Sequence, residues 1–247
     1  MNRTKSIAAI AALGVTFTGL AVLSPAAAEP VSNSYSIVGS DTLQDVVNAL
    51  ANGSTLTGSS VRTTVKNTTI GSFDATGTPS VQTKSGGPRF ARPNGSGDGV
   101  KALSRSIDGQ PFKNSGYSTD VRITGQIDIA RSSSAGTVDA NGTLLYIPFG
   151  RDAFAYAHNG TSAGFDNISG ALMKSLFECT TRTIDGVTVT PVIPQDGSGT
   201  RKDFLKKIGV TEASMLEVTE AGGCVAVGQE HDTSALPVNA ITPMSAA

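Results

Sequence analysis

The stretch Tyr35-Ser36-Ile37-Val38-Gly39-Ser40-Asp41-Thr42-Leu43 decides the fold class, because an alternating apolar strand runs into a turn of glycine and small polar residues. Val46, Val47 and Leu50 continue the helical spacing that begins at Leu43. The order strand, small polar turn, helix is typical of α/β folds. In such folds ligands bind beyond the carboxyl ends of the strands, where this turn lies.

The same order recurs further along the chain. The turn Asn94-Gly95-Ser96-Gly97-Asp98-Gly99 opens a second helical pattern, and a later strand leads through Asp196-Gly197-Ser198-Gly199-Thr200 into another helix. A further strand over residues 121–130 ends in Arg131-Ser132-Ser133-Ser134. Strands that alternate with helices in this way predict an α/β fold with mostly parallel central sheets.

These turns have the chemistry of oxyanion sites. Glycine lets the backbone approach a ligand closely, the first N–H groups of a helix lack helical partners, and Ser or Thr hydroxyls add neutral donors. Ser, Thr and Asp are also the preferred N-cap residues, so each turn taken alone is explained more simply as a helix cap. The turns by themselves leave both interpretations open.

Composition and the first residues indicate an exported protein. In 247 residues, 19 Lys and Arg nearly balance 20 Asp and Glu, and no basic stripe is present that could bind nucleic acid. Arg3 and Lys5 precede an apolar run that ends in Ala26-Ala27-Ala28, which predicts a signal peptide over residues 1–28. The run is too short for a transmembrane anchor, and no cysteine near the cleavage site offers a lipid attachment point. We therefore expect a secreted, extracellular or periplasmic product.

The two cysteines, Cys179 and Cys224, both lie in the exported part of the chain. Pairing is the default for two thiols in an oxidising compartment, so we predict a structural disulfide between them. Two buried free thiols are one alternative. A metal site is another, although neither His158 nor His231 has ligand spacing to a cysteine, and we expect no metal.

The order of the motifs and their amino-acid sequences resemble those of a known family. This family is the phosphate-binding substrate-binding proteins of bacterial ABC importers, in the type II periplasmic-binding-protein superfamily. The resemblance runs from about Ser34 to the end of the chain. It rests on five motifs in family order, of which the last is the most specific: residues 36–43, 95–103, 128–133, 168–177 and 196–201.

Carried over residue by residue, the resemblance implies an oxyanion pocket between two lobes. The implied ligand-binding residues are Ser40, Thr42, Leu43, Ser96, Ser198, Gly199, Thr200 and, as charge partner, Arg201. The family often has an aspartate that accepts the proton of hydrogen phosphate, and the matching residue here is Ser133. We therefore expect weak discrimination against sulfate. Asp41 or Asp98 is an alternative acceptor, but the sequence favours both as solvated turn or capping residues.

The resemblance also implies the domain organisation. It predicts a two-lobed fold in which residues 29–140 form the first lobe, residues 141–227 form the second, and about 228–247 complete the first. A hinge is expected near residues 140–149, where strand patterns meet a proline-glycine break. In the family, further strands and helices normally follow the point that matches the end of this sequence. The chain therefore resembles a fragment or a reduced member of the family.

The implied function is capture of phosphate or a similar tetrahedral oxyanion for ABC-type import, by a monomer that needs no cofactor and delivers its ligand to a membrane permease. An alternative is a secreted surface or interaction protein that kept the fold without binding a solute. We expect no enzyme, because neither Ser96 nor Ser198 fits Gly-x-Ser-x-Gly and no Walker motif is present.

Overall fold

The computed structural model describes residues 29–30, 34–56, 59–61, 68–114, 117–136, 139–229 and 236–245. The predicted signal peptide over residues 1–28 lies outside the described residues. Within the described part of the chain, no helix is long and apolar enough to cross a membrane.

The described elements are mostly short strands, with four α-helices set between runs of them. The strands are β1 Tyr35–Gly39, β2 Ser54–Leu56, β3 Ser59–Val61, β4 Ile70–Ser72, β5 Ser80–Val81, β6 Phe90–Ala91, β7 Pro111–Asn114, β8 Tyr117–Arg122, β9 Ile129–Arg131, β10 Phe154–His158, β11 Thr183–Ile184, β12 Val187–Thr188, β13 Thr190–Pro194, β14 Ala226–Gly228 and β15 Ala240–Ser245. The helices are α1 Gln44–Asn52, α2 Ser96–Asp108, α3 Gly170–Phe177 and α4 Gly199–Ile208, with a 3₁₀ helix at Ala163–Asn167. The predicted mixed α/β class is confirmed.

A parallel sheet in the order β4-β1-β9 organises the first half of the chain. Its core contains Val38, Phe73, Phe90, Phe112 and Ile123, each at most 1% exposed. Because the strands are parallel, β1 and β9 end at the same edge of the sheet. That edge carries the turn after β1 and the serine-rich loop after β9.

A second sheet, in the order β10-β15-β13-β14, organises the second half. Strand β13 pairs in parallel with both β14 and β15, and β10 pairs with β15 in antiparallel fashion. A separate apolar cluster that includes Phe165, Leu176, Phe177, Ile193 and Ile241 packs in this half. The two clusters are distinct, and the turns before α2 and α4 lie where the halves meet.

The last described strand differs from the prediction. Sequence reasoning assigned residues 228–247 to the first lobe, whereas Ala240–Ser245 pairs with β10 and β13 of the second sheet. Ile241 is fully buried in the second cluster, and burial of its side chain favours that location. Residues 144–149, expected to contain a strand, form none, and the extended pairing begins at β10.

The predicted disulfide is confirmed. Cys179, just after α3, is bonded to Cys224, just before β14, with an S–S distance of 2.09 Å. Both side chains pack against the second apolar cluster. The alternatives of free thiols or cysteine metal ligands are therefore wrong, and the bond closes a loop with a sequence separation of 45.

Candidate binding site

The turns before α2 and α4 are in direct backbone contact. The N–H of Gly97 donates to the carbonyl of Gly197 at 2.9 Å. A Cβ placed on Gly95 would lie 2.6 Å from that same carbonyl oxygen, so only glycine permits the approach at this point. The turn after β1 packs close by, because a Cβ on Gly39 would lie 3.2 Å from the Cα of Gly99. The three turns singled out by the sequence therefore converge.

Ser96, Ser133 and Gly199 form the closest cluster. Ser96 Oγ lies 3.0 Å from Ser133 Oγ and also accepts a hydrogen bond of 3.0 Å from the Ser133 N–H. A Cβ built on Gly199 would overlap Ser133 Oγ and lie 2.5 Å from Ser96 Oγ. The structure thus brings predicted residues from three separate elements to the first turn of α4.

Ser198 and Thr200 flank Gly199 and have different roles. Ser198 caps α4, since its Oγ accepts from the Arg201 N–H at 3.1 Å. Thr200 is 1% exposed, and its Oγ1 makes no hydrogen bond to any described residue. A buried hydroxyl without a partner is costly, by about 1–3 kcal/mol, unless a ligand supplies the missing bond. Among the predicted site residues, Thr200 therefore has a buried hydroxyl that is available to a ligand.

The turn after β1 is largely satisfied within the protein. Ser40 Oγ and Thr42 Oγ1 are 2.7 Å apart, the Ser40 N–H donates to the carbonyl of Arg131, and the Thr42 N–H donates to Asp41 Oδ1. Leu43 stands at the N-cap of α1 and contributes no side-chain bond there. The two hydroxyls are within hydrogen-bond distance of each other, and both N–H groups are engaged inside the protein.

Arg201, the predicted charge partner, is held by carboxylates. Its guanidinium donates to Glu212 at 2.6 Å and Glu217 at 3.0 Å, and lies 3.4 Å from Asp196. Burial lowers its pKa, but the hydrogen bonds to Glu212 and Glu217 outweigh this, and the net shift is upward. An anion at Arg201 would have to compete with these groups. Sequence reasoning missed Glu212 and Glu217, because no pattern links them to α4.

The candidate substitute acceptors lie in the first two turns. Asp98 accepts a hydrogen bond of 3.4 Å from the Asn94 N–H, and burial raises the pKa of its carboxyl. Asp41 accepts from the neighbouring Thr42 N–H at 3.1 Å, as expected of a turn residue. Both positions fit the structural interpretation as capping or turn residues, which the sequence already favoured.

A cleft of about 460 Å³ adjoins the cluster. Its lining includes Ser96, Ser198, Gly199, Tyr146 and Lys202. A second cleft of about 340 Å³ lies beside the turn before α2, with Asp98 and Gln195 in its wall. The first cleft gives a solute access to the turn at α4. Within the described residues, no group of His, Cys, Asp and Glu could hold a metal ion.

No protein-family model matches the chain, and no curated protein matches it. Among solved structures, the chain is similar to a crystal structure, with bound phosphate, of a protein from Clostridium perfringens assigned as a phosphate ABC transporter substrate-binding protein. The match covers 87% of this chain and 71% of the other, with 13% sequence identity and a TM-score of 0.46. Likeness at this level gives no residue correspondence.

Proposed function

We propose that this protein is an extracellular solute-binding protein that captures phosphate or a similar tetrahedral oxyanion and delivers it to an ABC-type permease. The observation that carries the proposal is the convergence of Ser96 and Ser133 on Gly199, next to the buried and unpartnered hydroxyl of Thr200. Hydroxyls at the start of a helix are donors suited to an oxyanion.

The chemistry needs no catalytic group and no cofactor. Neutral donors can hold an anion in a site that excludes water, because hydrogen bonds strengthen where the local dielectric constant is low. The nearby cation Arg201 is offset by Glu212 and Glu217, so an anion at α4 would be bound mainly by hydroxyls, by backbone N–H groups and by the helix dipole.

Closure of two lobes would supply the dry environment. The two apolar clusters pack separately, and this separation supports closure of two lobes on a ligand. Residues 139–153 connect the halves without a strand or helix, and they are the natural place for a hinge. In the proposed cycle, an anion binds between the turns and draws the halves together.

Isothermal titration of the purified protein with phosphate and with sulfate tests the proposal. Wild type should bind at least one of the two anions with a stoichiometry of one. Thr200→Val removes the unpartnered hydroxyl with little change in shape, and it should weaken binding by about tenfold or more while leaving the free energy of unfolding unchanged or higher.

Thr83→Val is the matched control. Thr83 is also 1% exposed, but its Oγ1 donates to the carbonyl of Gln126 at 2.8 Å. This variant should lose about 1 kcal/mol of stability and keep wild-type affinity. Absence of binding by wild type would overturn the proposal and favour the alternative of a secreted interaction protein that binds no solute.

A further inference from the structure

Arg131, the last residue of β9, is a buried arginine that the candidate site does not use directly. It is 3% exposed. Its guanidinium donates to the carbonyls of Ser40 at 2.8 Å, Phe73 at 2.8 Å and Gly39 at 3.2 Å, and to Ser72 Oγ at 2.5 Å. These bonds tie the carboxyl ends of β1, β4 and β9 together at the edge where the turns converge.

Arg131 is paired differently from the other buried arginines. Arg92 is ion-paired with Glu29, and Arg201 with Glu212 and Glu217. None of the ion pairs within the described residues includes Arg131. Burial lowers the pKa of Arg131 to about 10, so the guanidinium still carries its charge at neutral pH. The negative charges of Asp74, Asp41 and Asp45 act in the opposite direction and raise this pKa.

The position of Arg131 places this charge behind the ligand-facing groups. Ser40, whose carbonyl it binds, carries one hydroxyl of the turn after β1, and Ser133, two residues beyond Arg131, belongs to the cluster at Gly199. A buried charge acts over a longer distance than an exposed one, because solvent screens it less. The guanidinium can therefore attract an anion that it never contacts, against the opposing charges of Asp74, Asp41 and Asp45, none of which forms an ion pair with it in the described residues.

We propose that Arg131 is the residue that supplies the positive charge of the anion site, and that Arg201 is a structural residue. This inference rests on the proposed function, because it assigns the source of charge at the same site. Arg131 acts as a positioning residue through the carbonyls of Gly39 and Ser40 and as a fixed charge behind them. Anion affinity should then follow the charge at position 131 more closely than the number of hydrogen bonds there.

Titration of two variants with sulfate, or with phosphate if wild type binds only phosphate, separates charge from hydrogen bonding. Arg131→Lys keeps the charge but has three N–H donors instead of five and no planar fork, whereas Arg131→Gln keeps two donors and loses the charge. We expect the Lys variant to bind within about threefold of wild type and the Gln variant to bind at least about tenfold more weakly. Both variants should be less stable, so circular dichroism is used to check that each is folded. If the Gln variant does not fold, Arg131→Met takes its place as the uncharged variant.

Arg92→Gln is the matched control, because it removes a guanidinium of equal burial that is offset by Glu29. Its sulfate affinity should stay within about threefold of wild type. Equal losses in the Lys and Gln variants, or no loss in either, would overturn the inference and leave the proposed function intact. A wild-type protein that binds neither sulfate nor phosphate would instead remove the proposed function.

Discussion

Gly199 is the residue at which the elements of the candidate site come closest. Because a Cβ there would overlap Ser133 Oγ and crowd Ser96 Oγ, we predict that Gly199→Ala forces the serine loop away from α4. The expected result is at least about a tenfold loss of anion affinity in a titration, with about 1–3 kcal/mol lost from the free energy of unfolding.

Gly170→Ala provides a closely matched control for that substitution. Gly170 is the first residue of α3 and follows the capping residue Ser169, as Gly199 follows Ser198 in α4. A Cβ on Gly170 meets nothing within 4 Å. This variant should keep its affinity and gain up to about 1 kcal/mol of stability. Similar behaviour of the two variants would contradict the close packing assigned to Gly199.

Ser133 is the residue on which selectivity between anions should depend. A carboxylate at this position could accept the proton of hydrogen phosphate, but it would repel an unprotonated oxygen of sulfate. Ser133→Asp should therefore lower sulfate affinity more than phosphate affinity in a competition experiment at neutral pH. Ser134→Asp, in the same loop but outside the cluster, should affect both anions alike. A wild-type protein that already rejects sulfate strongly would show that another group accepts the proton.

Candidate site residues could be predicted from the sequence where they lie in short motifs. Ser96, Ser133 and Gly199 were identified by motif resemblance, and the structure brings them together. The partners of Arg201 and the bonds of Arg131 could not be predicted in the same way. They depend on where Glu212, Glu217 and the carbonyls of neighbouring strands come to lie, and no spacing along the chain encodes those contacts.

At the scale of elements, the first turn of α2 contains a half-buried carboxylate, that of Asp98. Burial raises the pKa of Asp98, against hydrogen bonds from Asn94 and Asn114 and the attraction of Lys101 that lower it, and Asp196 adds to the rise. A folded-state pKa above the unfolded value means that protonation favours the fold. The stabilising contribution of Asp98 is therefore complete at low pH and is lost as the pH rises through the folded pKa.

Substitution by an uncharged residue tests that sign. We predict that Asp98→Asn gains stability relative to wild type as the pH rises from below the unfolded carboxyl pKa to above the folded one. Urea denaturation at a series of pH values measures the difference. Asp120→Asn, which removes one negative charge at an exposed strand position, is the control. A difference between Asp98→Asn and wild type that is constant with pH would contradict the assignment.

Helices that follow a glycine-rich turn were predictable, and one extended segment was not. Ser198 caps α4 and Ser169 caps α3, each at the position before a helix where serine is preferred. Residues 144–149 have strand-like composition, yet Leu145 is 85% exposed and no strand forms there. A strand needs a partner for its backbone groups, and composition does not reveal whether one is present.

At the scale of the whole molecule, the Cys179–Cys224 bond is a source of stability with no part in binding. Both cysteines pack against the second apolar cluster, and their sulfurs lie against the carbonyls of Leu216 and Leu176. A double Cys179→Ala, Cys224→Ala variant should lose about 2–4 kcal/mol in denaturant unfolding, because the bond closes a long loop. Its anion affinity should match wild type. A large loss of affinity in the folded variant would show that the bond shapes the site.

The assembly of the two halves was the least predictable part of the fold. The class followed from alternating strands and helices, but the location of β15 did not. It is decided by pairing with β10 and β13, which lie about 50 to 90 residues earlier, and by burial of Ile241. Long-range pairing of this kind is a property of the folded chain and leaves no local signal.

The most direct test of the central claim is a crystal structure of the protein grown with phosphate. We predict one phosphate at the first turn of α4, with its oxygens within hydrogen-bond distance of Ser96 Oγ, Ser133 Oγ and Thr200 Oγ1. Phosphate bound elsewhere, under conditions in which titration shows binding, would contradict the site. A Thr200 hydroxyl that still has no partner in that complex would contradict it equally.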